Sequence, residues 1–165
     1  MRTIRLTTAP LPPESPRPAS PVTLSLPIGG ADATQDALRV ESAGLREALV
    51  LWAGRPLDMA TIAITHLIVP RCEASRLRLD IPLSERIQIT NFLRAERLLA
   101  FADLHTHPKE AFLSQLDQAR PFGIRDGFYA IVVPDFATGK SLERWAMYEA
   151  VRGDWEEVEV RDRIT

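Results

Sequence analysis

The sequence predicts an α+β domain, a mixed β-sheet flanked by helices. Two observations carry the prediction. Apolar runs of strand length recur along the chain and are stopped by glycine or proline: Glu47–Trp52 ends at Gly54, Thr61–Val69 at Pro70, and Gly127–Val133 at Pro134. Stretches with helical character fall between several of these runs, so the elements follow the order α-β-β-α-β-α-β-β-β. No internal repeat is visible.

The bulk properties fit one domain. A chain of 165 residues is long enough to bury a core. An apolar fraction of 45% and a charged fraction of 25% are ordinary for a globular protein. A net charge of −2 gives no electrostatic case for nucleic acid or an anionic membrane as partner. Cys72 is the only cysteine, which excludes an intramolecular disulfide and a thiolate zinc cluster. Arg2 and Arg5 precede Pro10, Pro12 and Pro13, which break the apolar core a signal peptide needs. No run approaches the roughly 18 apolar residues of a membrane helix. A reducing cytoplasm is the expected compartment.

The elements follow in order. Residues 9–30 hold seven prolines and the pair Gly29-Gly30, which exclude a helix or an inner strand. Residues 1–30 are therefore expected to be a proline-rich arm or a packed tail. Val22, Leu24, Leu26 and Ile28 alternate as a short strand would. The single domain is expected over 31–165. Asp32-Ala-Thr-Gln35 fits a capping box, and no Pro or Gly follows before Gly44. Two strands come next, Glu47–Trp52 and Thr61–Val69. Ser84–Arg97 places Ile89, Phe92 and Leu93 on one side of a helix. Leu98–Leu104 is a third strand, Ser114–Ala119 a short helix and Gly127–Val133 a further strand. Trp145–Tyr148 and Trp155–Val160 form a closing hairpin, with Gly153-Asp154 near its turn.

Most of the chemistry lies in residues 101–117. His105 and His107 are two apart at the end of an apolar strand, and a strand places residues i and i+2 on one face. Asp117 can add a carboxylate oxygen from the next element. Two histidines and one carboxylate, with a fourth position left for water, make a catalytic zinc arrangement. Ser114-x-x-Asp117 is also a helix N-cap pattern, and the two readings are compatible. A cap fixes the turn that must hold the carboxylate, and the Ser114 hydroxyl is placed to donate to a developing oxyanion. Water activated by zinc needs a general base, commonly a carboxylate that does not bind the ion. The upstream candidates are Glu41, Glu47, Glu73, Glu85 and Glu96. Glu47 heads the apolar run Ala48–Gly54, so burial would raise its pKa and make it a better proton shuttle. His66, inside the second strand, is read as a strand histidine with a polar partner or solvent. Cys72 is read as an ordinary loop cysteine, activated only if Arg71 lowers its pKa. The three tryptophans are read as packing residues.

The set Glu47, His105-Thr-His107-Pro108 and Ser114-x-x-Asp117 resembles the motif of the JAMM (JAB/MPN-plus) zinc metalloproteases. The resemblance spans roughly residues 33–135 and includes the order of elements. It implies a JAMM/cytidine-deaminase-like metalloprotease domain. It implies that His105, His107 and Asp117 ligate one zinc ion per chain, that Glu47 is the general base and that Ser114 steadies the oxyanion. It further implies cleavage after the C-terminal glycine of a ubiquitin-like protein, in deconjugation or maturation. Two departures are visible. Nine residues separate His107 from Asp117 where the family has ten, which predicts a shorter loop before the helix. Ala48 and Leu49 follow Glu47 where small residues or glycines are common. The insert-free body, Leu113-Ser-x-x-Asp117 and Val132-Val-Pro-Asp-Phe136 resemble bacterial JAB proteins of ubiquitin-like conjugation operons, which implies E1/E2-like partners.

A glycine-ended tail must be held extended, most simply as an added strand. The segment Arg71–Ile81 is the expected place, with Leu77 and Leu79 alternating with charge as substrate-binding residues. Two rival readings are weaker. Asp103-Leu-His-Thr-His107 resembles the first-strand signature of metal-dependent phosphoesterase and amidohydrolase barrels, but those need a longer chain, and no histidine follows His107. The alternative within the resemblance is a catalytically silent MPN-type scaffold. Such scaffolds lack the ligands, whereas every ligand type is present here.

Overall fold

The computed structural model describes residues 22–74, 79–119, 121–123, 125–139 and 141–165. Its elements are β1 (Thr23–Ser25), α1 (Gly30–Ser42), β2 (Leu49–Pro56), β3 (Thr61–Ile68), β4 (Glu73–Ala74), β5 (Leu79–Asp80), α2 (Leu83–Ala95), β6 (Leu99–Thr106), α3 (Gln115–Ala119), β7 (Tyr129–Val133), β8 (Ala146–Val151) and β9 (Asp154–Val158). Seven strands form one mixed sheet in the order β1-β3-β2-β6-β7-β8-β9, and β4 pairs with β5 apart from it. The β1–β3 and β6–β7 pairs are parallel and the others antiparallel. The sheet is curled. After β9 the chain returns to β1, where Leu24 N–H donates to Arg163 O and Thr165 N–H donates to Leu24 O.

Helices cover both faces. Strand residues alternate in direction, and the burial pattern follows that alternation. Val50 and Trp52 of β2, Leu104 of β6 and Ile131 of β7 join Leu38 of α1 in one core cluster. Leu49 and Leu51 join Ile89 and Leu93 of α2 in a second cluster on the opposite face. Inside the first cluster the Trp52 indole N–H donates to Thr34 Oγ1 at 2.9 Å, so its one polar atom is satisfied.

Several boundaries differ from those predicted. Helix α1 starts at Gly30 behind a left-handed Gly29 (φ 75°), not at an Asp32 cap. Asp32 lies inside the first turn, where its charge favours the helix dipole. Strand β2 runs through Gly54 to Pro56 instead of ending there. Gly54 sits at a bulge against β3, and a Cβ at this position would meet Ala63 O at 1.8 Å. The glycine is kept by close backbone approach, not by chain termination. The β8–β9 hairpin turns at Arg152 and Gly153, both with positive φ, the pattern of a type I′ turn. Val22 and Leu24 are buried and belong to the first cluster, while Ile28 is exposed. Among the described residues, no helix is long and apolar enough to cross a membrane.

Candidate metal centre and active site

The site forms where β6 leaves the sheet. His105 is the penultimate residue of β6 and lies opposite Leu49 of β2. His107 follows the strand, and its backbone is clasped on both sides. His107 N–H donates to Val133 O at 3.0 Å, and Phe136 N–H donates to His107 O at 2.9 Å. The clasping segment Asp135–Ala137 has three successive positive φ values, 54°, 51° and 60°. Such conformations cost of order 1–3 kcal/mol each, so the surrounding hydrogen bonds hold them in place. The histidine rings lie 5.2 Å apart, and Phe112 packs edge-on against His107 at 5.0 Å.

Asp117 reaches the pair from the first turn of α3. Ser114 N–H donates to Asp117 Oδ2 at 2.9 Å, and Asp117 N–H donates to Ser114 Oγ at 3.3 Å. This is a reciprocal capping box. The cap and the aim of the carboxylate are one structure, because Oδ2 also lies 3.5 Å from His105 Nε2 and 3.3 Å from His107 Nε2.

These three atoms lie within 4.8 Å of one another and form a group that could hold a metal ion. His105 Nε2 is buried with no hydrogen-bond partner. A buried nitrogen left in this way is costly, and serving as a ligand atom would resolve it. The two separations to Asp117 Oδ2, 3.5 and 3.3 Å, fit as well. Tetrahedral zinc with bonds of roughly 2.0–2.1 Å holds its ligand atoms about 3.3 Å apart. Burial works to lower the His105 pKa, but Asp103 and Asp117 outweigh it and raise the value to about 10. Asp117 is the counterpart: burial favours its neutral form, and the His105 and His107 imidazoles beside it overcome this and hold the carboxyl far below its usual range.

Glu47 lies just before β2, 7% exposed. Thr106, the residue between the histidines, places it: Ala48 N–H donates to Thr106 Oγ1 at 2.9 Å, and Thr106 N–H donates to Ala48 O at 3.0 Å. Burial raises the Glu47 pKa above 4.5; His107 and His105 pull it down, and Asp117 pushes it up. All three candidate ligands are thus within its electrostatic reach. A cleft of about 290 Å³ opens beside Glu47 and runs past Leu49 to Pro70, Arg71, Cys72 and Ala74.

The structure therefore brings together Glu47, His105, His107, Ser114 and Asp117. It does not bring Leu79 to this cleft. Leu79 lies on β5, half-buried against the cluster under α2, and Leu77 falls outside the described residues. Burial, with Glu41 and Glu85, pushes the Cys72 thiol up to about 12, so it is not an activated nucleophile. His66 accepts its sequence-based reading: its Nδ1 pairs with Thr65 Oγ1 at 2.8 Å on an exposed stretch of β3. Sequence reasoning did not assign roles to Thr106 and Asp103 at this site. Period-two alternation was the available signal for Asp103, since it shares a strand face with His105.

The curled mixed sheet with a helix on each face matches the fold of a JAB1/MPN domain protein of known structure. The chain is similar in fold to AF2198, a JAB1/MPN domain protein from Archaeoglobus fulgidus. That match has a TM-score of 0.50 and 18% identity over 88% of this chain and 98% of the other. It is also similar to the solution structure of protein DSY2949 from Desulfitobacterium hafniense, with a TM-score of 0.58 and 14% identity over 87% of this chain and 92% of the other. No family model matches the sequence.

Proposed function

We propose that this chain is a zinc-dependent isopeptidase or peptidase that cuts after the C-terminal glycine of a ubiquitin-like protein, in deconjugation or precursor maturation. The observation that supports it most is the convergence of His105 Nε2, His107 Nε2 and Asp117 Oδ2 beside a buried Glu47. Three protein donors leave one coordination position open, the mark of a catalytic site rather than a structural one. Zinc held there supplies Lewis-acid polarisation of the scissile carbonyl and a lowered pKa for water.

The remaining steps belong to the chain's own groups. Glu47, made more basic by burial, takes a proton from the attacking water and hands it to the leaving amine. The Ser114 hydroxyl donates to the oxyanion, and its rigid tie to Asp117 fixes its position beforehand. The cleft beside Glu47 gives an extended tail a path toward the carboxylate. The same reading makes the partners a ubiquitin-like protein and its E1/E2-like conjugation enzymes, in the cytoplasm.

The test is incubation of the zinc-loaded protein with a panel of ubiquitin-like fusions, with and without a chelator. Release of a modifier ending in free glycine, stopped by chelation and restored by zinc, is expected. A zinc-loaded protein that leaves every fusion intact would favour the silent-scaffold reading.

A further inference from the structure

Asp103 is a carboxylate buried to 3% exposure on the face of β6 that carries His105. A buried charge is retained only when it is paired and hydrogen-bonded. Two groups face it in the structure. Phe122 N–H donates to Oδ2 at 3.1 Å, and Oδ1 lies 3.8 Å from His105 Nδ1. The Phe122 amide is itself held in place from α2. Arg86 Nη1–H donates to Pro121 O at 3.3 Å, Arg86 Nε–H donates to Ile81 O at 3.3 Å, and its guanidinium lies 5.7 Å from the Phe122 ring centroid. The chain α2–Arg86–Phe122–Asp103 therefore ends on the imidazole nitrogen that points away from Asp117.

The geometry points to Asp103 as a positioning residue that keeps the proton of His105 on Nδ1 and leaves Nε2 free to ligate. The inference rests on the metal reading above and deepens it. An imidazole ligates through the nitrogen that carries no proton, and the partner of its other nitrogen decides which one that is. A carboxylate can only accept, so it selects Nδ1–H. The orphaned, buried Nε2 is the result expected of such a ring.

The test uses Asp103→Asn and Asp103→Ala in the full chain. Asn has the same shape but is both donor and acceptor. The Phe122 amide claims the side-chain oxygen, so the NH₂ faces Nδ1. That arrangement favours a proton on Nε2, the wrong nitrogen for ligation. Zinc affinity, measured by competition with a chromophoric chelator, is expected to fall about 10- to 100-fold in Asp103→Ala and at least as far in Asp103→Asn. Far-UV circular dichroism of both metal-free variants checks that they fold. In the unsubstituted zinc-loaded protein, proton NMR is expected to show a His105 Nδ1–H resonance protected from exchange. An Asp103→Asn protein that binds zinc like the parent, or no such resonance in the parent, overturns the inference. A parent that takes up no zinc at all defeats the metal reading instead, so the two failures are distinguishable.

Discussion

Glu47 carries opposite demands on stability and catalysis. Burial raises its pKa above 4.5, so the folded state prefers the neutral acid. Its contribution to stability is then present below pH 4.5 and is lost as pH rises through the raised value. Catalysis needs the ionised form. Glu47→Gln is therefore expected to keep its zinc and lose turnover. Its melting temperature relative to the parent should rise as pH climbs above 4.5. A Glu47→Gln protein that stays active, or is devoid of metal, would remove Glu47 from the role of base. Ser114 combines two roles that kinetics can separate. Ser114→Ala is expected to lower kcat by about 10²-fold through the lost oxyanion donor. It should also cost about 1 kcal/mol through the lost cap. A variant in which only the melting temperature moves leaves Ser114 as a cap alone.

At the scale of elements, the bulge at Gly54 sets how β2 lies between β3 and β6. A Cβ there would collide with backbone, the carbonyl of Ala63, and not with a side chain that can move aside. Gly54→Ala is expected to destabilise by about 3 kcal/mol, the upper end of overpacking costs, read as a lower urea midpoint. An unchanged midpoint would show that the sheet relaxes freely at this point. This residue also shows how far the sequence could be read. Alternation and Gly/Pro punctuation located β2, β3, α2, β6, β7 and the closing hairpin, because those signals are local. They misjudged Gly54 because a bulge depends on a partner strand that local sequence does not name. The two-residue strands β4 and β5 were missed for a related reason: they are too short for periodicity to register.

Across the whole molecule, residues 163–165 pair along β1 at one edge of the curled sheet. Leu24 and Leu26 exchange three backbone hydrogen bonds with Arg163 and Thr165, at 2.6, 2.7 and 3.0 Å, and the Tyr129 hydroxyl donates to Val22 O at 3.2 Å. Removing residues 163–165 is expected to cost about 3 kcal/mol, at roughly 1 kcal/mol for each backbone hydrogen bond, with zinc binding unaltered. Equal stability would show that β1 is held by side-chain burial alone. The site lies at the other extreme of legibility. Its ligand residues stood in one short stretch, where spacing alone suggested a shared target. Its base came from a strand mouth 58 residues earlier, joined to the histidines through Thr106 Oγ1 and Ala48 N. That link is tertiary, and only the motif resemblance anticipated it. Asp103 escaped assignment because its partner is an amide nineteen residues away. The central claim is that His105, His107 and Asp117 form one zinc site. Metal analysis of the purified chain after zinc loading tests it most directly. About one ion per chain is expected in the parent and in Glu47→Gln, and little in His105→Ala or Asp117→Ala, since each removes one of three protein ligands. Equal zinc in the parent and in Asp117→Ala, or a parent that takes up none, would contradict the account.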